Sequence, residues 1–513
     1  KMAALAVVMR NLPWASIAKC AATALLGLSA GGMLFLRKVL ERTLKSLKVL
    51  PPTETQKKQE DLGTNPLFRA MPQLRGRLAW RQLGENFPSP VHRFSSCLPT
   101  ADGKDREIEF WVKREDLCSR RYGGNKVRTL QYQLASAEAH AEASRDARFL
   151  VFGSGGSNQV VATKVHAAYL SLPADSVVGM VPIPDPPELD NTLNYLSSLS
   201  IPGQQMVFGT GMGSILAGLG MLPWGMAAWV FMPGGNGPLG VLGQVGGAIE
   251  LAEQIERGEL PDPDGIVVAL GSGCTTTGLI LGVAAARAAG LKAFQAKGFR
   301  IYVQPVHPVF AKLQKFFGFL KGETWPMTLG RGIKEAAAII ADNGGPDLTL
   351  AGLAVMRDET EISTDLAITG EYGVHSEVSK AAKLAYDKSV RLLDGQPHLW
   401  LCGHFTAKSF ALLLKVLGRT GDSEPVKKLL FWQTKSAVQP QGPRDEWASF
   451  NEHKKTCKAL ATWAVVGGIT GHPSMVNKEG FAGSTKAAEG PDDYRHLFTR
   501  VQFPTSEAGN GQV

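Results

Sequence analysis

Three segments of the chain pair small residues with groups that could do chemistry. The first runs from the charged strand end Lys113-Arg114-Glu115-Asp116 to Gly123-Gly124-Asn125-Lys126, where a helical pattern begins. An amine just after two glycines sits close to backbone and partly out of water. Desolvation lowers its pKa and makes it a nucleophile toward an aldehyde. Read blandly, Lys126 is a solvated cation in a first helical turn. The second segment, Phe152-Gly153-Ser154-Gly155-Gly156-Ser157-Asn158-Gln159, leads a strand through a small-residue turn into another helix. Free backbone N–H groups, the Ser157 hydroxyl and the Asn158 amide could grip a carboxylate and a phenolic oxygen there. A tight turn closed by an N-capping serine has the same sequence. The third segment, Gly271-Ser272-Gly273-Cys274-Thr275-Thr276-Thr277-Gly278, follows an apolar run and opens an apolar helix. Orphan N–H groups converge at such a turn, the helix end adds about half a positive charge, and glycines permit close approach, all of which suits a phosphate dianion. The segment has no Walker lysine, and Thr276 stands where the last glycine of a dinucleotide loop belongs, so a monophosphate fits better than a triphosphate.

These segments need elements to hold them. Apolar runs at 110–113, 149–152, 265–270, 301–303 and 429–432 predict buried strands, and patterns at 126–143, 159–170, 243–257 and 277–289 predict helices. That order implies α/β architecture with largely parallel sheets. An uncharged tract at 191–249 contains the apolar stretch 206–232, but its repeated glycines and Pro223 favour strand, helix and strand over a membrane span. After Gly467 the sequence turns polar and loses periodicity.

With 513 residues, 44% hydrophobic and 20% charged, the composition is that of a globular enzyme. Residues 1–48 carry eight Lys and Arg against Glu41 alone, so most of the net +9 belongs to this leader and the body is nearly neutral. A nucleic-acid enzyme would carry its basic surface on the folded domain, so no nucleic-acid partner is expected. Cys20, Cys97, Cys118, Cys274, Cys402 and Cys457 lie far apart, with neither Cys-x-x-Cys nor zinc spacing, so neither a disulfide scaffold nor a metal site is expected. Residues 20–36 are uncharged and are followed by Arg37 and Lys38, close to the lower limit of a bilayer span of about 20 residues. The basic, acid-poor stretch 1–40 reads as a presequence for the mitochondrion or another organelle, or as an uncleaved single-pass membrane anchor.

In order and detail the segments resemble the pyridoxal-phosphate enzymes of the tryptophan-synthase-β-like fold (fold type II), and within them the D-cysteine desulfhydrase and 1-aminocyclopropane-1-carboxylate deaminase family. The resemblance rests on Pro88-Ser89-Pro90-Val91-His92-Arg93-Phe94, Lys113 to Asp116, Gly123 to Arg128 and Ser157-Asn158-Gln159. It continues through Pro233-Gly234-Gly235-Asn236-Gly237-Pro238-Leu239-Gly240, Gly271-Ser272-Gly273 with Thr275, Glu371-Tyr372-Gly373 and Leu430-Phe431-Trp432-Gln433-Thr434.

Composition marks a leader at 1–65 and a partly disordered extension at 441–513. The resemblance, which spans about 66–440, implies a large pyridoxal-phosphate domain made of 66–126 and 245–440, a small inserted domain at 127–244, and a homodimer. Lys126 would bond covalently to the cofactor and then move the substrate α-proton. Ser157 would stand near the substrate carboxylate, and Asn158 near the ring oxygen. Gly271, Ser272, Gly273, Cys274, Thr275 and Thr276 would cup the phosphate, and the Thr434 hydroxyl would face the pyridine nitrogen. Tyr372 matches a family tyrosine facing the substrate, although a core tyrosine explains it nearly as well. His166, His307 and His375 are expected to be packing or surface residues. The implied reaction is α,β-elimination on a small amino acid, D-cysteine giving pyruvate, sulfide and ammonia; the alternative is the cyclopropane deaminase, giving 2-oxobutanoate and ammonia. Phe405 replaces a family tyrosine, which weighs against the second; Gln433 replaces a histidine, and Lys435 and Ser436 a pair of glycines, departures that point to a drifted substrate. The altered Phe405, Lys435 and Ser436 also suggest a different class, a catalytically weakened cofactor-binding or membrane-tethered scaffold.

Overall fold

The structure, a computed structural model, describes residues 49–60, 63–99, 105–143, 148–154, 156–172, 174–180, 191, 194, 195, 197, 198, 201–203, 205–209, 228–316, 329–389, 399–418, 427–441 and 498–500. Its main strands are β1 (Val91–Pro99), β2 (Asp105–Arg114), β3 (Arg148–Ser154), β4 (Ala174–Met180), β5 (Gln205–Gly209), β6 (Ala228–Phe231), β7 (Gly265–Leu270), β8 (Arg300–Pro305), β9 (Thr360–Ile362) and β10 (Leu429–Gln433). They form a six-stranded sheet in the order β1-β2-β10-β7-β8-β9 and a four-stranded sheet in the order β5-β4-β3-β6. Only β1 and β2 run antiparallel within these two sheets; every other pairing in them is parallel.

Period-two alternation builds the core around the larger sheet. Ile266, Val268, Ile301, Val303, Leu430 and Trp432 face one cluster. Val267, Tyr302, Leu429 and Phe431 face another, with Phe94, Phe110 and Phe410. Both faces are therefore covered, and β7 is buried throughout, which is why it reads as one continuous apolar run. A third cluster, including Val127, Val151, Val160 and Phe231, packs around the smaller sheet.

The helices that position the cavity described below are α1 (Asn125–Ala143), α2 (Asn158–Tyr169), α3 (Pro238–Glu256), α4 (Cys274–Ala288), α5 (Pro308–Phe316) and α6 (Thr406–Leu417). Two of them begin earlier than the periodicity predicts. α3 starts at Pro238 rather than 243, and α4 at Cys274 rather than 277. Glycines and β-branched threonines weaken a local helix signal, but α4 is buried from Cys274 and α3 from Leu239, and packing overrides propensity. The domain boundaries expected at 126/127 and 244/245 fall inside α1 and α3. A helix continues its pattern across such a boundary while its faces serve different cores: Val127, Leu130 and Leu134 of α1 join the smaller sheet's cluster and Tyr132 joins the larger sheet's.

The tract 206–232 contains β5 and β6; the helix expected between them, at 210–227, lies outside the described residues, as do the leader 1–48 with its 20–36 segment and most of 441–513. Among the described residues no helix is long and apolar enough to cross a membrane.

Candidate active site

A cavity of about 410 Å³ opens beyond the C-terminal ends of β3, β7, β8 and β10, where parallel α/β sheets expose the N-termini of the helices that follow. The volume suits a small ligand. Lys126, Ser157, Asn158, Gly271, Ser272, Gly273, Thr275, Thr276, Tyr372 and Thr434 all line it. Cys274 does not: it is buried, with its thiol 3.7 Å from the Thr129 hydroxyl. As the first residue of α4 it offers this wall its backbone N–H rather than its side chain.

Lys126 is the second residue of α1, and its position is set by a backbone junction. Gly124 has φ +87°, and a Cβ there would lie 2.6 Å from the Thr434 carbonyl oxygen. Only a glycine brings the start of α1 this close to the end of β10. The Lys126 Nζ donates to the Gly234 carbonyl at 2.9 Å, a neutral partner. Burial lowers its pKa from the usual amine range. Burial also raises the neighbouring Cys274 thiol, with the Lys126 charge acting against that rise, and Cys274 opposes part of the burial effect on the amine.

The turn after β7 leaves donors unpaired in an arrangement that would suit an anion. Gly273, at φ +90°, caps α4 without a side-chain hydrogen bond. The first backbone N–H in α4 to find a carbonyl is that of Thr277, which bonds to Gly273 at 2.8 Å. The N–H groups of the preceding residues therefore remain for a ligand. The Thr276 hydroxyl is buried and has no partner. Thr275 accepts from Asn125 Nδ2 at 2.7 Å, which ties this turn to the start of α1. Ser272 donates to the same Gly234 carbonyl that Lys126 uses, at 3.1 Å.

On the opposite wall Ser157 caps α2, its hydroxyl accepting from the Val160 N–H at 3.4 Å. The Asn158 amide is oriented by three donors on its Oδ1: Tyr122 at 2.9 Å, Asn194 at 2.8 Å and Lys435 at 3.3 Å. A lysine ammonium only donates, so Oδ1 is the oxygen and the Nδ2 group is left for the cavity. Lys435, which departs from the family glycine, is thus a brace behind Asn158. It is buried, also donates to Asn194 at 2.8 Å, and lies 4.3 Å from the centre of the Trp400 ring. Ser436, the second departure, accepts from the Gly123 N–H at 2.9 Å and so holds the glycine turn before Lys126. Gln433 donates to the Trp400 carbonyl at 3.0 Å.

The last wall carries groups that sequence reasoning missed. His404 and His307 line the cavity beside Tyr372, their ring centroids 4.3 Å and 4.9 Å from it. Phe405 stacks on His404 at 4.1 Å and nearly parallel. Burial raises the Tyr372 phenol, which hydrogen-bonds Ser154. His307 was expected to be a packing or surface residue and is on the wall instead. His166 donates to the Tyr122 carbonyl at 2.9 Å, and His375 lies 3.4 Å from the Ser379 hydroxyl; neither lines the cavity. The one available signal for His404 was its place beside the altered Phe405. Among the described residues no cluster of His, Cys, Asp or Glu could hold a metal ion.

The charged motif Lys113 to Asp116 lies behind the cavity rather than in it. Arg128 donates to Glu115 at 2.6 Å and to Glu250 at 2.6 Å, and Lys113 donates to Glu250 at 2.7 Å. All four are buried. Against the cost of burial, Arg128 and Lys113 hold the Glu250 carboxyl down to about 2.

No family model matches the chain. Among known proteins it is similar to the bifunctional D-cysteine desulfhydrase/1-aminocyclopropane-1-carboxylate deaminase, mitochondrial, of Arabidopsis thaliana, 29% identical over 209 residues, which are 38% of this chain and 49% of that protein. It is 30% identical over 242 residues to a putative 1-aminocyclopropane-1-carboxylate deaminase of Pyrococcus horikoshii, covering 46% of this chain and 64% of that protein. The chain therefore matches less than two thirds of the length of either relative. Among solved structures it is similar to an ACC deaminase homologue, at 22% identity and a TM-score of 0.47, over 72% of this chain and 94% of that one. The relatives carry the names of the family that the sequence motifs resemble.

Proposed function

We propose that the chain is a pyridoxal-phosphate-dependent lyase that carries out α,β-elimination on a small amino acid, D-cysteine being the preferred substrate. The observation that carries this reading is the Lys126 amine, lowered in pKa and facing the same cavity as an anion-binding helix end. The donor set fits the cofactor: an orphaned buried hydroxyl at Thr276, unpaired N–H groups at the start of α4 and a left-handed Gly273 suit a phosphate monoester. The oriented Asn158 amide suits a phenolic oxygen. Gly271 to Thr276 would hold the phosphate, Asn158 the ring oxygen, and Lys126 the aldehyde carbon.

Bound there, the cofactor supplies an electron sink conjugated to the substrate α-carbon. Lys126 takes the α-proton at its Nζ, a neutral amine being the form able to accept it. The free N–H groups at the start of α2 and the Ser157 hydroxyl bind the carboxylate. The Cβ–S bond then breaks, sulfur leaving with the electron pair, and water hydrolyses the released enamine to pyruvate and ammonia. Thr434 lines the same cavity with a neutral hydroxyl, which, unlike a carboxylate, would not keep the ring nitrogen of the cofactor protonated and would so favour prompt elimination. The ring of Phe405 supplies no phenol for proton transfer, which disfavours cyclopropane opening. The basic leader and the word mitochondrial in the Arabidopsis relative's name support a mitochondrial or other organelle address; homodimer assembly rests on the family resemblance.

Purified full chain, loaded with pyridoxal phosphate, is to be incubated with D-cysteine, L-cysteine and 1-aminocyclopropane-1-carboxylate while sulfide and 2-oxo acids are assayed. Sulfide with pyruvate from D-cysteine is the expected result. Release of 2-oxobutanoate without sulfide would overturn the substrate, and bound cofactor without product from any of the three would favour the scaffold.

A further inference from the structure

We infer that His404 selects the substrate class: its Nε2 accepts a hydrogen bond from an O–H or S–H on the substrate β-carbon, so the site favours hydroxyl- and thiol-bearing amino acids over hydrocarbon ones. The inference rests on the amino-acid lyase reading above and narrows it.

The tautomer follows from the neighbours. Asn191 Nδ2 donates to the Gly373 carbonyl at 2.6 Å, which turns Asn191 Oδ1 toward His404. That oxygen lies 3.4 Å from His404 Nδ1 and can only accept. The Nδ1 atom therefore carries the hydrogen, and Nε2 keeps its lone pair. Nε2 is buried, at a residue only 5% exposed and on the cavity wall, and it meets no protein partner. Burial, then the charge of Lys408 and the nearby His307, holds the imidazole down to about 3, so it is neutral in the working range.

The surroundings leave this lone pair to the ligand. Phe405 stacks flat on the imidazole and has no hydroxyl. Tyr372 meets the ring edge-on, with its phenol engaged by Ser154. His307 accepts from the Val309 N–H at 3.2 Å on Nδ1, so its other nitrogen is a donor. The wall thus carries two rings beside Tyr372, His404 with an acceptor left over and His307 with a donor left over, a match for a hydroxyl or thiol that does both. A buried acceptor left unsatisfied by a hydrocarbon side chain discriminates against it by about tenfold to a hundredfold.

The test uses the cofactor-loaded full chain, with binding read from the change in its visible absorbance on titration with both enantiomers of serine and alanine. Serine avoids the direct condensation of cysteine with free aldehyde. Wild type should bind the better serine enantiomer at least about tenfold more tightly than the matching alanine. His404→Phe keeps a stacked ring and removes the lone pair; its preference should fall to within about twofold, with the absorbance band unchanged. His404→Gln restores an acceptor oxygen and should keep part of the preference. An undiminished preference in His404→Phe, no preference in wild type, or loss in His404→Gln as complete as in His404→Phe would overturn the inference while leaving the lyase reading intact. A wild-type chain without any band would overturn that reading, and this inference with it.

Discussion

Lys126→Ala is expected to lose at least about 10⁴-fold in turnover and to lose the visible band of the loaded protein. General base catalysis alone accounts for about 10² to 10⁴, and in the proposed reading the same amine would also be the covalent anchor. The loss should be chemical rather than structural. Lys126 is half-buried at a helix start, its Nζ bonds a loop carbonyl, and the junction that places α1 is made by the backbone of Gly124 and Thr434. Lys126→Arg should fare no better, since a guanidinium keeps its proton and neither attacks an aldehyde nor accepts a proton from carbon. Pyruvate release measured under saturating cofactor checks both variants; retention of more than about a tenth of wild-type turnover by either would contradict the assigned role.

Glu250→Ala is expected to cost about 3–5 kcal/mol of folding stability. Glu250 Oε1 accepts from Lys113 at 2.7 Å, Arg128 at 2.6 Å and the Ser89 N–H at 2.9 Å. Its removal strands two buried cations that share only Glu115 as a remaining carboxylate of the network. Arg128 lies two residues past Lys126 on α1, so a loosened network should also weaken cofactor binding. Glu250→Gln keeps the shape and part of the hydrogen bonding and should cost less. Denaturant midpoints of the three proteins give the comparison, and a Glu250→Ala midpoint equal to wild type would show that the network contributes little.

How much of this was legible in the sequence depended on whether it was local. β7 and β10 stand out because continuous β-branched and aromatic runs mark strands buried on both faces. β9, three residues long and half-exposed, gives no such mark. Lys126, Ser157, Asn158 and the 271–276 turn were readable because each sits in one strand-turn-helix unit. His404 and His307 were not, since their relation to Tyr372 exists only after β8, α5 and α6 are packed together. The motif Lys113 to Asp116 was visible as charge, but the partner that explains Lys113, Glu250, is 137 residues away. Lys435 and Ser436 read as departures that suggest a weakened catalyst. Their contacts are long-range and invisible in the sequence: Lys435 lies behind Asn158 and Ser436 against Gly123.

The central claim is a covalent bond between Lys126 and the aldehyde carbon of pyridoxal phosphate. Borohydride reduction of the loaded full chain, followed by proteolysis and mass spectrometry, tests it directly. The account predicts a pyridoxyl-phosphate mass increment on the peptide containing Lys126 and no such increment in Lys126→Ala. An unlabelled Lys126 peptide after reconstitution with excess cofactor, or a label that persists elsewhere in the variant, would contradict it.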